Sequence, residues 1–412
     1  MTQKASTVAA GWGSGPGHNY NDLAATFRPV FDRIRAGAVE RELNRTLPHE
    51  PIGWLKDARF GALRVPEKDG GFGASLPQLF ALLIELSHAD SNVTQALRAH
   101  FGFAEDIVNA RAQDRRDRWL PRLSRGEITG SAWTEIGEAR QAAFSTIVKL
   151  GDGKAASVTG AKYYTTGSLF ADWIDIGASG EEGQSLSATV ARHAPGVDVI
   201  DDWDGFGQIL TASGTTTFTD TPVDPADVVI DDDRFKYSAA FYQLVHLATL
   251  AGIGRAASDD VAKAVKARRR SYSNAPSPRP SEDAQVLQVV GRIRGAAYCA
   301  SAIVLKAAEA VQHAFDTRFA GDAAAEEAAN AVAELEVAQA QTVVTTLILE
   351  ASTIVFDALG ASATQRSAAL DRHWRNARTL SSHNPRIYKD RIIGDFAVNG
   401  TPPPYQWRIG QV

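Results

Sequence analysis

Two histidines and three arginines fall between Arg372 and Pro385, in the run RHWRNARTLSSHNP. Arg372, Arg375 and Arg378 are spaced by three, so on a helix they spread over one broad face and offer planar forks to a phosphate or to backbone carbonyls. Asn384-Pro385 predicts the end of that helix, because the residue before a proline is pushed out of the α region. His383 then stands at a helix end or turn, where an imidazole that titrates near neutrality can exchange protons with a bound molecule. A second histidine, His100 in RAHFGF, sits in an apolar helical stretch. The run KARRR, Lys266 to Arg270, precedes the proline-rich Pro276 to Pro280. Each feature has a plain structural reading as well: a solvated basic helix end or subunit contact, a core histidine, and a dipole partner at a helix C-terminus.

Elements must position these groups, and 412 residues exceed what one hydrophobic core usually supports, so two or three subdomains are expected. Hydrophobic residues make up 44% and charged residues 22%, an ordinary globular balance. The net charge of −5 gives no global basic field, which argues against nucleic acid as the main partner. Cys299 is the only cysteine, so no internal disulfide and no cysteine metal cluster is expected, and a reducing cytoplasm is the natural compartment. The N-terminal stretch has no apolar core of signal-peptide length, and no later run approaches eighteen uncharged apolar residues; neither export nor a membrane span is expected.

Residues 1–19 are small, polar and glycine-rich, and read as a flexible arm. An N-terminal helical domain is predicted over 20–124, with helices from Asp22 to about Arg45, Leu76 to His88 and Val93 to Ala110. Over 125–232 the hydrophobic period shortens to two. Strands are predicted at Ile128 to Thr134, Phe144 to Leu150, Ala155 to Thr165, Trp173 to Ala178, Leu186 to Ala191 and Gly214 to Thr219, with turns such as Asp152-Gly153. This pattern implies an antiparallel sandwich or barrel. Over 233–400 alanine-rich helices are predicted at 235–270, 282–317 and 322–359, with a shorter fourth from Ser367 to about Ser381, forming a four-helix bundle. Residues 401–412 form a tail. The fold class is therefore α+β and mostly helical.

Helical domain, β domain, then bundle is the order of the acyl-CoA dehydrogenase superfamily, and two motifs strengthen the resemblance, which runs from about residue 20 to 400. Thr129 to Glu135, TGSAWTE, resembles the family strand that ends in a Thr-Glu pair beside the flavin. Gly160 to Gly167, GAKYYTTG, resembles the strand with an aromatic-x-Thr pattern after a Gly-x-Lys turn. The resemblance implies that Ser131, Trp133 and Thr134 line the pyrimidine edge of a flavin, that Tyr164 faces the ring, and that Thr166 sits at N5. By strand alternation Tyr164 and Thr166 share one face. The resemblance also puts a flavin-phosphate arginine near Arg269 or Arg270.

Departures from the family pattern redirect the chemistry. Acyl-CoA dehydrogenases take an α-proton with a carboxylate base, often in a Tyr-Glu-Gly-Thr turn, whereas the corresponding Asn376 to His383 stretch has no acid. Arg140 stands where the family keeps a small serine in the nucleotide loop. The segment Asp371 to Gly400 instead resembles the flavin-dependent monooxygenase branch that contains dibenzothiophene monooxygenase and related sulfur-compound oxygenases. That resemblance implies reduced FMN delivered by a separate reductase, reaction with O2 through a hydroperoxyflavin, and oxygenation of a small hydrophobic, sulfur-containing or electron-rich compound. It makes His383 and Thr166 catalytic, with His100 aligned to another pocket histidine, and Phe101, Phe103, Trp203 and Phe206 as an apolar roof that excludes water. Ser362 stands where the branch can carry an arginine, so FAD stays open beside FMN. Arg372 or Arg375 of a neighbouring copy would compensate in a homotetramer. A flavin dehydrogenase or oxidase, and a catalytically silent ligand-binding bundle, are the alternatives.

Overall fold

The computed structural model describes residues 11–136, 144–150, 156–230 and 234–405. Arg140, the Asp152-Gly153 turn, most of the arm and the end of the tail lie outside the described residues. Helices come first: α1 (Tyr20–Ala36), α2 (Ala38–Asn44), α3 (His49–Asp57), α4 (Leu76–Ala89), α5 (Ser91–Ala96), α6 (Arg98–Asn109) and α7 (Gln113–Ser124). The single helix predicted from Asp22 to Arg45 is broken at Gly37. The helix predicted from Val93 to Ala110 is broken at Leu97, so Arg98 opens a new helix instead of sitting inside one. Ser75 and Gln78 close a capping box at the start of α4, satisfying backbone donors that a helix end leaves open. In this region α3 and α7 have no counterpart in the sequence pattern.

Residues 11–19 form neither helix nor strand, yet they are not a loose arm. The guanidinium groups of Arg294 and Arg255 lie 4.2 and 4.9 Å from the centre of the Trp12 ring, two cation–π contacts.

The strands are β1 (Thr129–Ala132), β2 (Ile147–Leu150), β3 (Ala156–Lys162), β4 (Trp173–Gly180), β5 (Ser185–Ala191), β6 (Val197–Val199), β7 (Thr216–Val223) and β8 (Val228–Ile230). They form one sheet in the order β6-β7-β3-β2-β4-β5-β8. The expected sheet is thus mixed, not purely antiparallel: β1 and β2 run parallel to β4, β1 along its first half and β2 beside its last residues. Alternation buries Ile174, Ile176, Ala188, Val190 and Val158 in one core.

Three long helices follow, α8 (Ser238–Ala267), α9 (Ala284–Thr317) and α10 (Ala323–Leu359), then the short α11 (Asp371–Ser381) and α12 (Lys389–Asn399). Asp283 and Asp322 cap α9 and α10 through two backbone N–H groups each. α4 packs on α8 and α9, so the N-terminal helices and the bundle share one core. α10 is long and apolar enough to cross a membrane. Here Val337, Val344, Ile348 and Val355 are buried, and the helix packs on α8 and α9.

Candidate active site

The end of β1 and the turn after β3 are joined. Tyr163 donates its N–H to the Thr134 carbonyl at 2.9 Å, an isolated bridge that brings the TGSAWTE and GAKYYTTG segments side by side. Next to it Lys162 donates to Glu135 at 2.6 Å, with side chains only 0% and 6% exposed. Glu135 also accepts from the N–H and hydroxyl groups of Ser145 and Thr146. Burial works to raise the Glu135 pKa, but Lys162 and the other donors outweigh it and bring the carboxyl down to about 2. Burial pulls the Lys162 amine down to about 8 against the attraction of Glu135. Both values leave the pair ionised at neutral pH.

Past Lys162 the chain leaves the strand. Tyr164 takes a φ of +61°, a left-handed conformation that a bulky residue seldom occupies and that tends to persist at functional sites. Thr166 turns back and donates its N–H to the Tyr164 carbonyl at 2.8 Å. The expected strand face shared by Tyr164 and Thr166 therefore does not exist. Tyr164 is 47% exposed and meets Tyr163 and Trp203 edge-on. Thr166 is buried, its hydroxyl 2.7 Å from that of Ser213, which is 2.7 Å from that of Thr211. Trp133 donates to Asp175 at 2.9 Å, and Arg234, paired to Asp175, covers one face of its ring at 4.2 Å.

Helices close the other side. Gly167 has a φ of +80°, and a Cβ there would stand 1.9 Å from the Ala96 carbonyl oxygen, so the turn is pressed against the last residue of α5. The neighbouring Gln95 reaches His246 of α8, their Nε2 atoms 3.3 Å apart. His246 in turn packs on His383, ring centroids 4.4 Å apart. The Nδ1 of His383 lies 3.0 Å from the Asn384 side-chain oxygen, and the Asn384 amide donates to Gln243. With a carbonyl oxygen as partner, Nδ1 of His383 carries the proton and Nε2 is left with its lone pair. Burial, then the charge of Arg98, lowers His383 to about 4 against the pull of Asn384. His246, fully buried, is lowered further by burial, Arg98 and His383. Two neutral imidazoles therefore face each other at neutral pH. His383 itself is exposed.

His383 and Thr166 come from different halves of the chain and are linked by successive contacts through Gly167, Ala96, Gln95 and His246. Other residues expected there are elsewhere. His100 is fully buried, with Nε2 2.9 Å from the Gly61 carbonyl and Nδ1 accepting the Thr129 N–H at 3.3 Å; it ties α6 to β1 and has no open ring nitrogen. Phe101 and Phe103 belong to closed cores, packed on Phe60 and Trp119, and roof nothing. Phe206 stacks on Trp374 at the surface and is 57% exposed. Trp203 keeps its expected place, beside Tyr164. Ser131 and Thr134 are half-buried next to the turn, and Ser131 accepts from Ser168 through its carbonyl.

The arginines are committed or distant. Arg372 pairs with Asp260 at 2.5 Å, a carboxylate that also faces His373. Arg375 pairs with Glu42 and Asp371 and donates to the Phe206 carbonyl. Arg269 and Arg270 are exposed beyond the end of α8, and at about 1.5 Å per residue they lie roughly 30 Å along that helix from His246. Within one chain they cannot reach the cleft.

Sequence reasoning missed His246, Gln95, Arg98 and the Glu135–Lys162 pair. A histidine inside the apolar run YQLVHLATL was the available signal for His246. Buried carboxylates near the cleft are mostly neutralised by cations, as with Asp175 and Glu135. Glu334 of α10 forms no ion pair among the described residues; it accepts from the Ala240 N–H at 2.8 Å, about 9 Å along α8 from His246. Burial raises it to about 8.

A flat heterocycle with polar edges fits this cleft. Aromatic surface is offered by Trp133, Tyr164 and Trp203, hydroxyls by the Thr166–Ser213–Thr211 chain, and buried polar atoms without partners by Gln95 Oε1 and His246 Nδ1.

Residues 21–127 match the acyl-CoA dehydrogenase N-terminal domain, and residues 244–385 the acyl-CoA dehydrogenase C-terminal domain. The chain is 26% identical over 402 residues to dibenzothiophene monooxygenase of Rhodococcus erythropolis, covering 93% of this chain and 94% of the relative. It is 27% identical over 393 residues to a probable FMNH2-dependent monooxygenase, SfnC, of Pseudomonas putida, covering 92% and 95%. The solved complex of TdsC from Paenibacillus sp. A11-2 with FMN and indole superposes with a TM-score of 0.83 at 25% identity, covering 94% of this chain and 100% of that one.

Proposed function

Because the chain belongs to the acyl-CoA dehydrogenase superfamily, we propose that it is the oxygenase component of a two-component flavin-dependent monooxygenase. It uses reduced FMN, supplied by a separate flavin reductase, and O2 to oxygenate a small organic compound, with sulfur compounds the favoured class. One oxygen atom enters the substrate, the other leaves as water, and the flavin is returned oxidised.

The observation that carries this reading is the neutral His246–His383 pair where a dehydrogenase presents a carboxylate base. Glu334, the buried acid free of an ion pair, is held on the Ala240 N–H of α8 instead.

Reduced FMN, when bound, supplies the two electrons that activate O2. Ser131, Trp133 and Thr134 would line one edge of its ring, Tyr164 one face, and Thr166 the central nitrogen. His383, with its proton fixed on Nδ1 by Asn384, presents Nε2 as an acceptor and positions a hydroxyl or its proton. Its pKa, lowered to about 4, differs from the near-neutral titration expected from the sequence. Trp203 and Tyr164 keep water from the ring.

Apolar surface supports a homo-oligomer. α12 has no buried residue, and Phe396 and Val398 on it are exposed, as are Tyr298, Val332 and Val343 on α9 and α10. Arg269 and Arg270 would serve a flavin phosphate only across such a boundary. A reducing cytoplasm suits a chain whose single cysteine, Cys299, is free and exposed.

The test supplies reduced FMN, heavy-oxygen-labelled O2 and a panel of organosulfur compounds and indole. The reading expects one labelled oxygen atom in a product, dependent on the reduced FMN. Desaturation of an acyl-CoA with no labelled product would replace it with the dehydrogenase reading.

A further inference from the structure

Three hydroxyls stand in line beside the turn after β3. Thr211 donates its hydroxyl proton to the Gln208 carbonyl at 2.8 Å, since a carbonyl oxygen can only accept. Ser213 lies 2.7 Å from Thr211, and Thr166 lies 2.7 Å from Ser213, oxygen to oxygen in both cases. All three are buried, as is Gln208. Each hydroxyl owns one proton, so the order of donation follows from the far end. The Thr211 proton is spent on Gln208, which leaves Ser213 to donate to Thr211 and Thr166 to donate to Ser213. Turning the Thr166 proton to the Tyr164 carbonyl, 3.5 Å away, would leave one of the two 2.7 Å contacts without a hydrogen between its oxygens, which is repulsive.

Backbone contacts hold this line in place. Gln208 has a φ of +53° and Ala212 a φ of +46°, left-handed conformations that persist only where the surroundings over-determine them. Asn376 of α11, itself buried, accepts the Gln208 N–H at 2.6 Å. Asn92 of α5 accepts the Leu210 N–H at 3.3 Å. The Thr211 and Gly214 carbonyls accept from the N–H groups of Gly167 and Thr165, both at 3.1 Å. The residue whose carbonyl starts the line is therefore fixed by a helix from the C-terminal part of the chain.

Resting on the oxygenase reading above, which puts Thr166 at the central ring nitrogen, we propose that Ser213 and Thr211 are positioning residues that make Thr166 a hydrogen-bond acceptor toward the flavin, so that the site favours reduced over oxidised FMN. With its own proton turned to Ser213, the Thr166 oxygen offers only lone pairs to what lies beside it. The central ring nitrogen carries a hydrogen in reduced flavin and a lone pair in the oxidised form. The first meets a complementary partner, and the second faces another lone pair.

Anaerobic calorimetric titration with reduced FMN, beside titration with oxidised FMN, gives two dissociation constants whose ratio is the readout. Reduced FMN is expected to bind the natural protein more tightly. Ser213→Ala frees the Thr166 proton for the oxidised ring. Thr211→Val keeps the shape of threonine but removes the acceptor for Ser213, whose proton then turns to Thr166 and displaces the Thr166 proton toward the ring. Each should lower the preference for reduced FMN about tenfold, the effect of one hydrogen bond made or unmade. That change equals a fall of about 30 mV in the two-electron midpoint potential of the bound flavin. Thr211→Ser keeps the hydroxyl and should keep the ratio. A role confined to shaping the loop would weaken both forms alike, so a ratio unmoved by Thr211→Val overturns the proposal. Oxidised FMN bound as tightly as reduced FMN by the natural protein overturns it too, even where no variant folds. The oxygenase reading fails by a different result, a shifted ratio with no labelled oxygen in any product, and absence of binding by either form of FMN fails both.

Discussion

Replacing Lys162 with methionine should loosen the junction between the end of β1 and the turn after β3. The Lys162 side chain is fully enclosed and its partner Glu135 nearly so, at 2.6 Å, and the ammonium also lies 3.9 Å from the centre of the Phe144 ring. Removing one member of a buried pair leaves the other charge uncompensated, at a cost of about 3–5 kcal/mol. Four donors from Ser145 and Thr146 still serve Glu135, so Lys162→Met is expected near the lower end, about 3 kcal/mol. Glu135→Gln keeps an amide oxygen for Lys162 but removes its counter-charge and turns an NH2 group toward donors from Ser145 and Thr146, and should cost more. The double variant should be less destabilised than the two losses added, by about 2 kcal/mol or more. Urea unfolding gives these values, and titration with FMN reads the effect on the Thr134–Tyr163 bridge next door, with affinity expected to fall about tenfold for each 1.4 kcal/mol transmitted. The pH dependence has a definite sign. A carboxyl lowered to about 2 from 4.5 binds fewer protons folded than unfolded, so its contribution is complete above about 4.5 and is lost as pH falls toward 2. Glu135→Gln should lose that acid limb. A cost below about 1 kcal/mol for Lys162→Met, with unchanged FMN affinity, would refute the reasoning.

Three further outcomes are expected. Gly167→Ala places a Cβ against the Ala96 carbonyl oxygen at 1.9 Å, at a φ of +80°; thermal unfolding should show a loss of about 2 kcal/mol or more. Glu334 is raised from 4.5 to about 8, so stability falls as pH rises between those values while the unfolded chain is ionised and the folded one is not. Glu334→Gln should flatten that limb, gaining on the order of 3 kcal/mol at pH 8, and an unchanged slope in urea titrations across this range would remove Glu334 as its source. His383→Ala should retain FMN but uncouple O2 consumption from product, measured as peroxide released per turnover; with His383 near 4, coupling in the natural protein should show no step around 6.5.

Much of the fold was readable because long helices repeat their pattern: the stretches 282–317 and 322–359 coincide with α9 and α10 to within two residues. The adjacency of TGSAWTE and GAKYYTTG was readable for a different reason, as fixed residue types at short spacing. What failed depended on partners far away in sequence. Arg372 and Arg375 look available on their own helix, but Asp260 and Glu42 that neutralise them are on α8 and α2. His100 and His246 are both histidines in apolar helices; only the fold shows that His100 is satisfied by Gly61 and Thr129 while His246 keeps an open nitrogen. Alternation misplaced Tyr164 because one left-handed residue cancels the rule. Arg98 drew no attention since a lone arginine in sequence gives no sign that its partners are a carbonyl and a ring.

The hydrogen bond from Tyr163 to Thr134 also bears on how such sequences change over generations. It makes two segments, with β2 and β3 between them in the chain, inherit each other's tolerances. A substitution in either one is judged in the company of the other, so exchanges between relatives that carry over one segment alone should be rejected more often than exchanges of both.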